Sequence, residues 1–278
     1  SSILLRRPIP VPLPESKKRR WAEPHLYTRY LDMGKIIAVV SGKGGTGKTS
    51  FTANVGLALA ALGKSTLCLD CDITLRNLDL ALGLTDSALM DFSDVIAGRC
   101  ALSDAVAVHP KYPKLHLLTA PLSATGQLNV TMEQMKRLLD QVRRQYDYCL
   151  IDAPAGLGQG FQLATGCADC VVVITTDASA LRDAQHTVMI LDKRFTTESL
   201  FLVVGRVQKK LLRALHSTID DAMDAAGLPL LGVVPEDSDV PYSLNRGIPL
   251  RDMNYYAARS YENIARRITG QRVPLMRI

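Results

Sequence analysis

The chain predicts an α/β fold, a mostly parallel β-sheet with helices on both faces, and three observations lead there. Short runs of aliphatic and β-branched residues recur along the sequence and are apolar throughout, the pattern of strands covered on both sides. Stretches with helical spacing separate these runs, so successive strands are joined by crossovers and lie parallel. A glycine-rich segment, SGKGGTGKTS at 41–50, sits between the first run and the first helical stretch.

In chain order, residues 1–32 come first and differ from the rest. They hold five prolines (Pro8, Pro10, Pro12, Pro14 and Pro24), the basic cluster KKRR at 17–20, and no period that could bury a face. They are expected to be a disordered tail, with Met33 as a candidate natural start. KIIAVV (35–40) is the first strand. The helix that follows has Val55, Ala58, Leu59 and Leu62 on one face and is stopped by Gly63. Further strands are STLCLD (65–70), LHLLTA (115–120), YDYCLID (146–152), CVVVITT (170–176), LFLVVG (200–205) and LLGVVP (230–235). Helical stretches fall at 131–145, 180–194, 209–226 and 255–268. There is no internal repeat and no second core, so residues 33–278 form one domain.

Composition bounds the function. With 278 residues and 47% apolar side chains the chain can bury a sizeable core. The net charge of +6 comes largely from residues 1–34, leaving 26 Lys/Arg against 24 Asp/Glu in the body, so a nucleic-acid partner is not the first expectation. No apolar run reaches the roughly 18 residues of a spanning helix, and the start lacks the plan of a signal peptide, so a cytoplasmic location is expected. Two CxxC pairs, Cys68/Cys71 and Cys167/Cys170, raise zinc. Strand geometry argues against it, since residues three apart point to opposite faces roughly 10 Å from each other, too far to share a metal at about 2.3 Å. The cysteines read as buried reduced thiols, and the five scattered histidines define no site.

The sharp motifs fall where ligands bind in such sheets, beyond the carboxyl ends of the strands. GKGGTGKT (42–49) follows a strand and opens a helix, which makes it a phosphate-binding loop and the fold a single P-loop NTPase domain. Gly42, Gly44, Gly45 and Gly47 let backbone N–H groups turn inward beside Thr46 and Ser50. Lys48 neutralises the β and γ phosphate charges, and the Thr49 hydroxyl can ligate Mg²⁺. Asp70 and Asp72 end the second strand, and Asp152 ends YCLID, the Walker-B position. Together with the loop they supply a Mg²⁺ shell (Thr49, Asp70 and Asp152) and a group that orients water. No N-K-x-D guanine signature occurs, so ATP is the expected nucleotide.

With KGGTGKT, DCDITLRNLDLALG (70–83), IDAPAG (151–156), LRDAQ (181–185) and GVVPED (232–237), the chain resembles the MinD/ParA family of deviant Walker A ATPases over about residues 33–278. LRNLDL points to its septum-site-determining branch. The resemblance implies that Lys43, the first lysine of the loop, reaches across a nucleotide-sandwich homodimer to the partner's phosphates. It also implies that Asp72 orients the attacking water, that Asp70 and Asp152 act through the Mg²⁺ shell, and that Arg76 and Asn77 lie in a nucleotide-sensitive switch. Implied partners are a MinC-like inhibitor, a MinE-like or DivIVA-linked regulator, and the inner face of the cell membrane.

Three departures stand out. Gly205 replaces an asparagine that reads adenine in the family, which moves the base contacts to Arg206, Pro235, Glu236 and Asp237. Thr176-Asp177 stands where relatives have Pro before an acid. The chain ends TGQRVPLMRI, with Pro274 inside it and no room for a basic amphipathic helix, so weak binding to anionic vesicles is expected. Beside the septum-site reading stand a ParA-type DNA-partition or flagellar-placement ATPase and a nucleotide-holding module without turnover.

Overall fold

A computed structural model describes residues 33–85, 87–122, 129–176, 178–196, 198–208, 223–224, 226–253 and 255–275. The tail at 1–32, Asp177, most of the helical stretch at 209–226, and Met276 and Ile278 lie outside the described residues.

The apolar runs become strands β1 (Lys35–Val40), β2 (Thr66–Asp70), β4 (Leu115–Leu118), β5 (Tyr148–Asp152), β6 (Cys170–Thr175), β7 (Leu200–Val207) and β8 (Leu230–Pro235). One strand was not foreseen: β3 (Ala107–Val108), which pairs antiparallel with β4 and is too short for its alternation to show. The eight strands form one sheet in the order β3-β4-β2-β5-β1-β6-β7-β8, and every pairing except β3·β4 is parallel. Among the described residues the helices are α1 (Lys48–Ala61), α2 (Leu78–Ala81), α3 (Phe92–Ile96), α4 (Leu102–Ala105), α5 (Met132–Gln145), α6 (Gln159–Gly166), α7 (Ala178–Leu191), α8 (Asp239–Arg246) and α9 (Tyr255–Ile268).

Each strand feeds two cores. On β1, Ile36, Ala38 and Val40 face the layer of α3, α5, α6 and α7, while Ile37 and Val39 face α1, α2 and α9. The same alternation parts the CxxC cysteines. Cys68 packs into the α1 layer and Cys71 into the α5 layer, and Cys170 and Cys167 are divided likewise, so neither pair can share a metal. Burial pushes the Cys68 and Cys71 thiols well up.

Helix α1 differs from its expected one-faced pattern. It also buries Phe51, Ala53, Leu57 and Ala60, because α9 covers its outer side with Ala257, Ala258, Tyr261 and Ile264. A helix so enclosed has no polar face to show. It lies close on the sheet at Gly56, where an added Cβ would sit 2.4 Å from the Cys68 Sγ and 3.4 Å from the Leu115 Cδ1. Gly56→Ala should therefore lower stability by about 1–3 kcal/mol through overpacking, outweighing the roughly 1 kcal/mol gain in helix propensity. Urea unfolding measures this, and adding Cys68→Ala should recover most of the loss.

Candidate functional site

Parallel pairing builds the site at the carboxyl edge of the sheet. Asp70 at the end of β2 stands in register with Asp152 at the end of β5, and Asp152 in turn with Val39 of β1. Residues in register on neighbouring parallel strands lie about 4.8 Å apart and share a face. Both carboxylates are buried, at 1% and 2% exposure. Burial, and then the charge of Asp152, raise Asp70 to about 8. Burial raises Asp152 to about 6, against the lowering effect of its bond from Thr49 and the charge of Lys48.

Around this pair the phosphate loop turns from β1 into α1. Gly45 (φ 74°) and Gly47 (φ 98°) take left-handed backbone, with nothing within 4 Å of where a Cβ would point. Gly42 has a different reason to be glycine. A Cβ there would meet the Asp183 backbone oxygen at 2.7 Å, where α7 crosses the loop. Helix α1 opens at Gly47 without a side-chain cap, so its first N–H groups remain available to an anion. Lys48 is buried and donates to the Ser41 Oγ at 3.1 Å, and burial lowers its pKa. Thr49 Oγ1 donates to the Asp152 Oδ2 at 2.6 Å, and Thr52 Oγ1 donates to the Oδ1 at 3.4 Å. Lys43 and Gly44 are exposed, and Ser41 Oγ donates to the Lys43 carbonyl at 2.6 Å.

Asp70 accepts the backbone N–H of Asp72 at 2.8 Å and of Leu78, the first residue of α2, at 3.3 Å. Asp72 is half-buried and accepts from Thr74 N, Thr74 Oγ1 and Leu75 N at 3.0, 2.6 and 3.1 Å. Arg76 follows with a positive φ of 36° and faces the Asp79 carboxylate at 3.6 Å. The segment after β2 is thus folded back on two carboxylates and holds one residue in a strained conformation.

Beside the loop opens a cavity of about 370 Å³ that places Gly45, Thr46, Gly47 and Ser50 against Gly205, Arg206, Pro235, Glu236 and Asp237. All the expected base-contact residues are therefore brought together. Sequence reasoning missed the outer wall, formed by Val240, Pro241 and Leu244 of α8 and Tyr261 of α9. These are apolar helix residues far along the chain, and no local spacing marks them.

The residues fit a bound nucleotide with a hard cation. Thr46 is 4% exposed and its hydroxyl has no partner, an orphaned donor on the cavity wall. The Thr49 hydroxyl with the buried Asp70 and Asp152 carboxylates is the oxygen donor set that Mg²⁺ prefers.

An inward lysine, an open-capped helix and paired strand-end acids define a P-loop nucleoside triphosphatase. The AAA domain family matches residues 34–197. The septum site-determining protein MinD of Bacillus subtilis is 38% identical over 246 residues, covering 87% of this chain and 92% of that protein. Among solved structures, the MinC:MinD cell division protein complex of Aquifex aeolicus matches with a TM-score of 0.79 and 33% identity over 88% of this chain and 99% of that one. MinD of Pyrococcus horikoshii complexed with Mg-ADP matches with a TM-score of 0.75 and 29% identity over 85% and 96%. The chain belongs to the MinD family of septum site-determining proteins, P-loop ATPases of division-site placement.

A carboxyl whose folded pKa lies above its unfolded value binds more protons when folded, so its contribution to stability falls as pH rises between the two values. For Asp70 that window runs from 3.8 to about 8. The nucleotide-free protein should lose stability from about pH 5 to about pH 8, and Asp70→Asn should flatten this fall and raise the urea midpoint at the upper end.

Proposed function

We propose that this chain is an ATP-hydrolysing switch that dimerises with ATP and acts in division-septum placement through the partners its dimer recruits. The observation that carries the reading is the division of labour between the two lysines of one loop. Lys48 is buried against Ser41 inside the loop, whereas Lys43 is exposed at its rim. Placed against a second copy, Lys43 would bring positive charge to the partner's phosphates, the role an arginine finger plays in trans.

The remaining roles follow from position. The backbone of Gly42, Gly44, Gly45, Thr46 and Gly47 and the Ser50 side chain would cradle phosphates, with Lys48 as the main counter-charge. Thr49, Asp70 and Asp152 would hold Mg²⁺, which supplies charge neutralisation across the β and γ phosphates when bound. Asp72, whose carboxylate is anchored to the switch segment and not to the loop, would orient the attacking water. Arg206, Pro235, Glu236 and Asp237 would hold the adenine.

The Aquifex MinC:MinD complex supports a MinC-like inhibitor as partner. A MinE-like or DivIVA-linked regulator is inferred from the family resemblance. Among the described residues no helix is long and apolar enough to cross a membrane. The family resemblance is the ground for proposing a cytoplasmic location with peripheral association at the inner face of the cell membrane.

The test separates binding, assembly and turnover. Lys43→Ala should bind ATP by calorimetry yet stay monomeric in light scattering with ATP and Mg²⁺. Asp72→Ala should keep the ATP dimer while turnover falls by about 10²-fold or more, as expected for a positioned catalytic group. A Lys43→Ala protein that dimerises and hydrolyses normally removes the trans role. Steeply salt-dependent capture of non-specific DNA by the ATP-bound parent would move the reading to DNA partition.

A further inference from the structure

One exposed side chain, Arg206, lines the cavity beside the phosphate loop. Strand β7 is buried along its length except at Arg206, the single exposed position in the run. The pairing of β7 with β8 slips between Val204 and Val207, and at that irregularity Arg206 takes a positive φ of 54°. A bulge of this kind re-aims a side chain that a regular strand would send to one face of the sheet, and a bulky residue in left-handed backbone costs free energy that its surroundings must offset.

The re-aimed guanidinium reaches both walls. Its Nη1 donates to the Gly45 carbonyl of the phosphate loop at 3.3 Å, and its Nη2 stands 4.0 Å from the Glu236 Oε1 beyond β8. Glu236 is itself held by the Gln208 amide, which donates to its Oε2. The same cavity has the apolar side chains of Ile174, Val203 and Val234 and the ring of Tyr261 in its lining. Gly205 adds no side chain, although a Cβ there would meet only ordinary contacts at 3.7–3.9 Å. A planar cation in the wall of a partly apolar cavity is suited to lie against the face of a planar heteroaromatic ring.

We propose that Arg206 is a latch for the nucleobase: its guanidinium, tethered between the Gly45 carbonyl and the Glu236 carboxylate, closes over the base and slows nucleotide release. This rests on the nucleotide reading above and adds to it a residue that governs residence time through the base and not through the phosphates. An exposed ion pair of this kind is individually weak, so the expected effect is moderate, about tenfold in release rate.

The test compares Mg²⁺-ATP with inorganic tripolyphosphate, which carries the phosphate charge and no base. Arg206→Ala should release fluorescently labelled ATP about tenfold faster in stopped flow and weaken ATP to a similar extent in calorimetry. Its affinity for tripolyphosphate should stay within about twofold of the parent, a discrimination that general damage to the fold would not produce. Unchanged release of ATP overturns the latch. Parallel weakening of ATP and tripolyphosphate also overturns it, because the guanidinium would then serve the phosphates or the loop. Failure of the parent to bind ATP at all removes the nucleotide reading and the latch with it.

Discussion

Two carboxylates buried side by side at the ends of adjacent parallel strands are the constraint on which the rest of the site depends. Asp70 and Asp152 are brought together by strand register, and burial pushes both toward protonation, helped by the charge of Asp152 on Asp70 and of Asp72 on Asp152. Such a pair persists only where donors surround it. Here the donors are Thr49 and Thr52 from α1 and the backbone N–H groups of Asp72 and Leu78 from the segment after β2. Each donor ties a functional element to the pair. The phosphate loop is anchored through α1, and the switch segment through the start of α2, so both elements answer to the charge state at one point.

Close backbone approaches fix the rest of the geometry. Helix α7 lies on the loop because Gly42 has no Cβ, and α1 lies on the sheet because Gly56 has none. A third contact joins α2 to α8, where Gly83 and Gly247, both with positive φ, meet so closely that a Cβ on either would overlap the other. Helix α2 begins at the Asp70 carboxylate and α8 lines the base cavity, so the two sides of the site meet at this close backbone contact.

Much of this was legible in the sequence, for a physical reason. Strands buried on both faces need unbroken apolar runs, and β1 and β8 appear at the expected residues. The phosphate loop and the strand-end acids are legible because their chemistry depends on local spacing along one chain segment. Other features escape because they are made between distant segments. The two-residue β3 and the four-residue α2 and α4 are too short to show a period. The enclosure of α1 depends on α9, about two hundred residues later, and the outer wall of the cavity on Leu244 and Tyr261. The reach of Arg206 depends on a bulge that no residue pattern announces.

In the nucleotide-free protein Asp70, raised to about 8, holds a proton near neutral pH and would give it up when a nucleotide-bound cation enters the site. Calorimetry at about pH 7, with ATP added as its preformed Mg²⁺ complex in buffers of different ionisation enthalpy, counts the protons released on binding. The parent protein should show net proton release, and Asp70→Asn less. A binding heat independent of buffer, or equal release by both proteins, would contradict a proton held on Asp70.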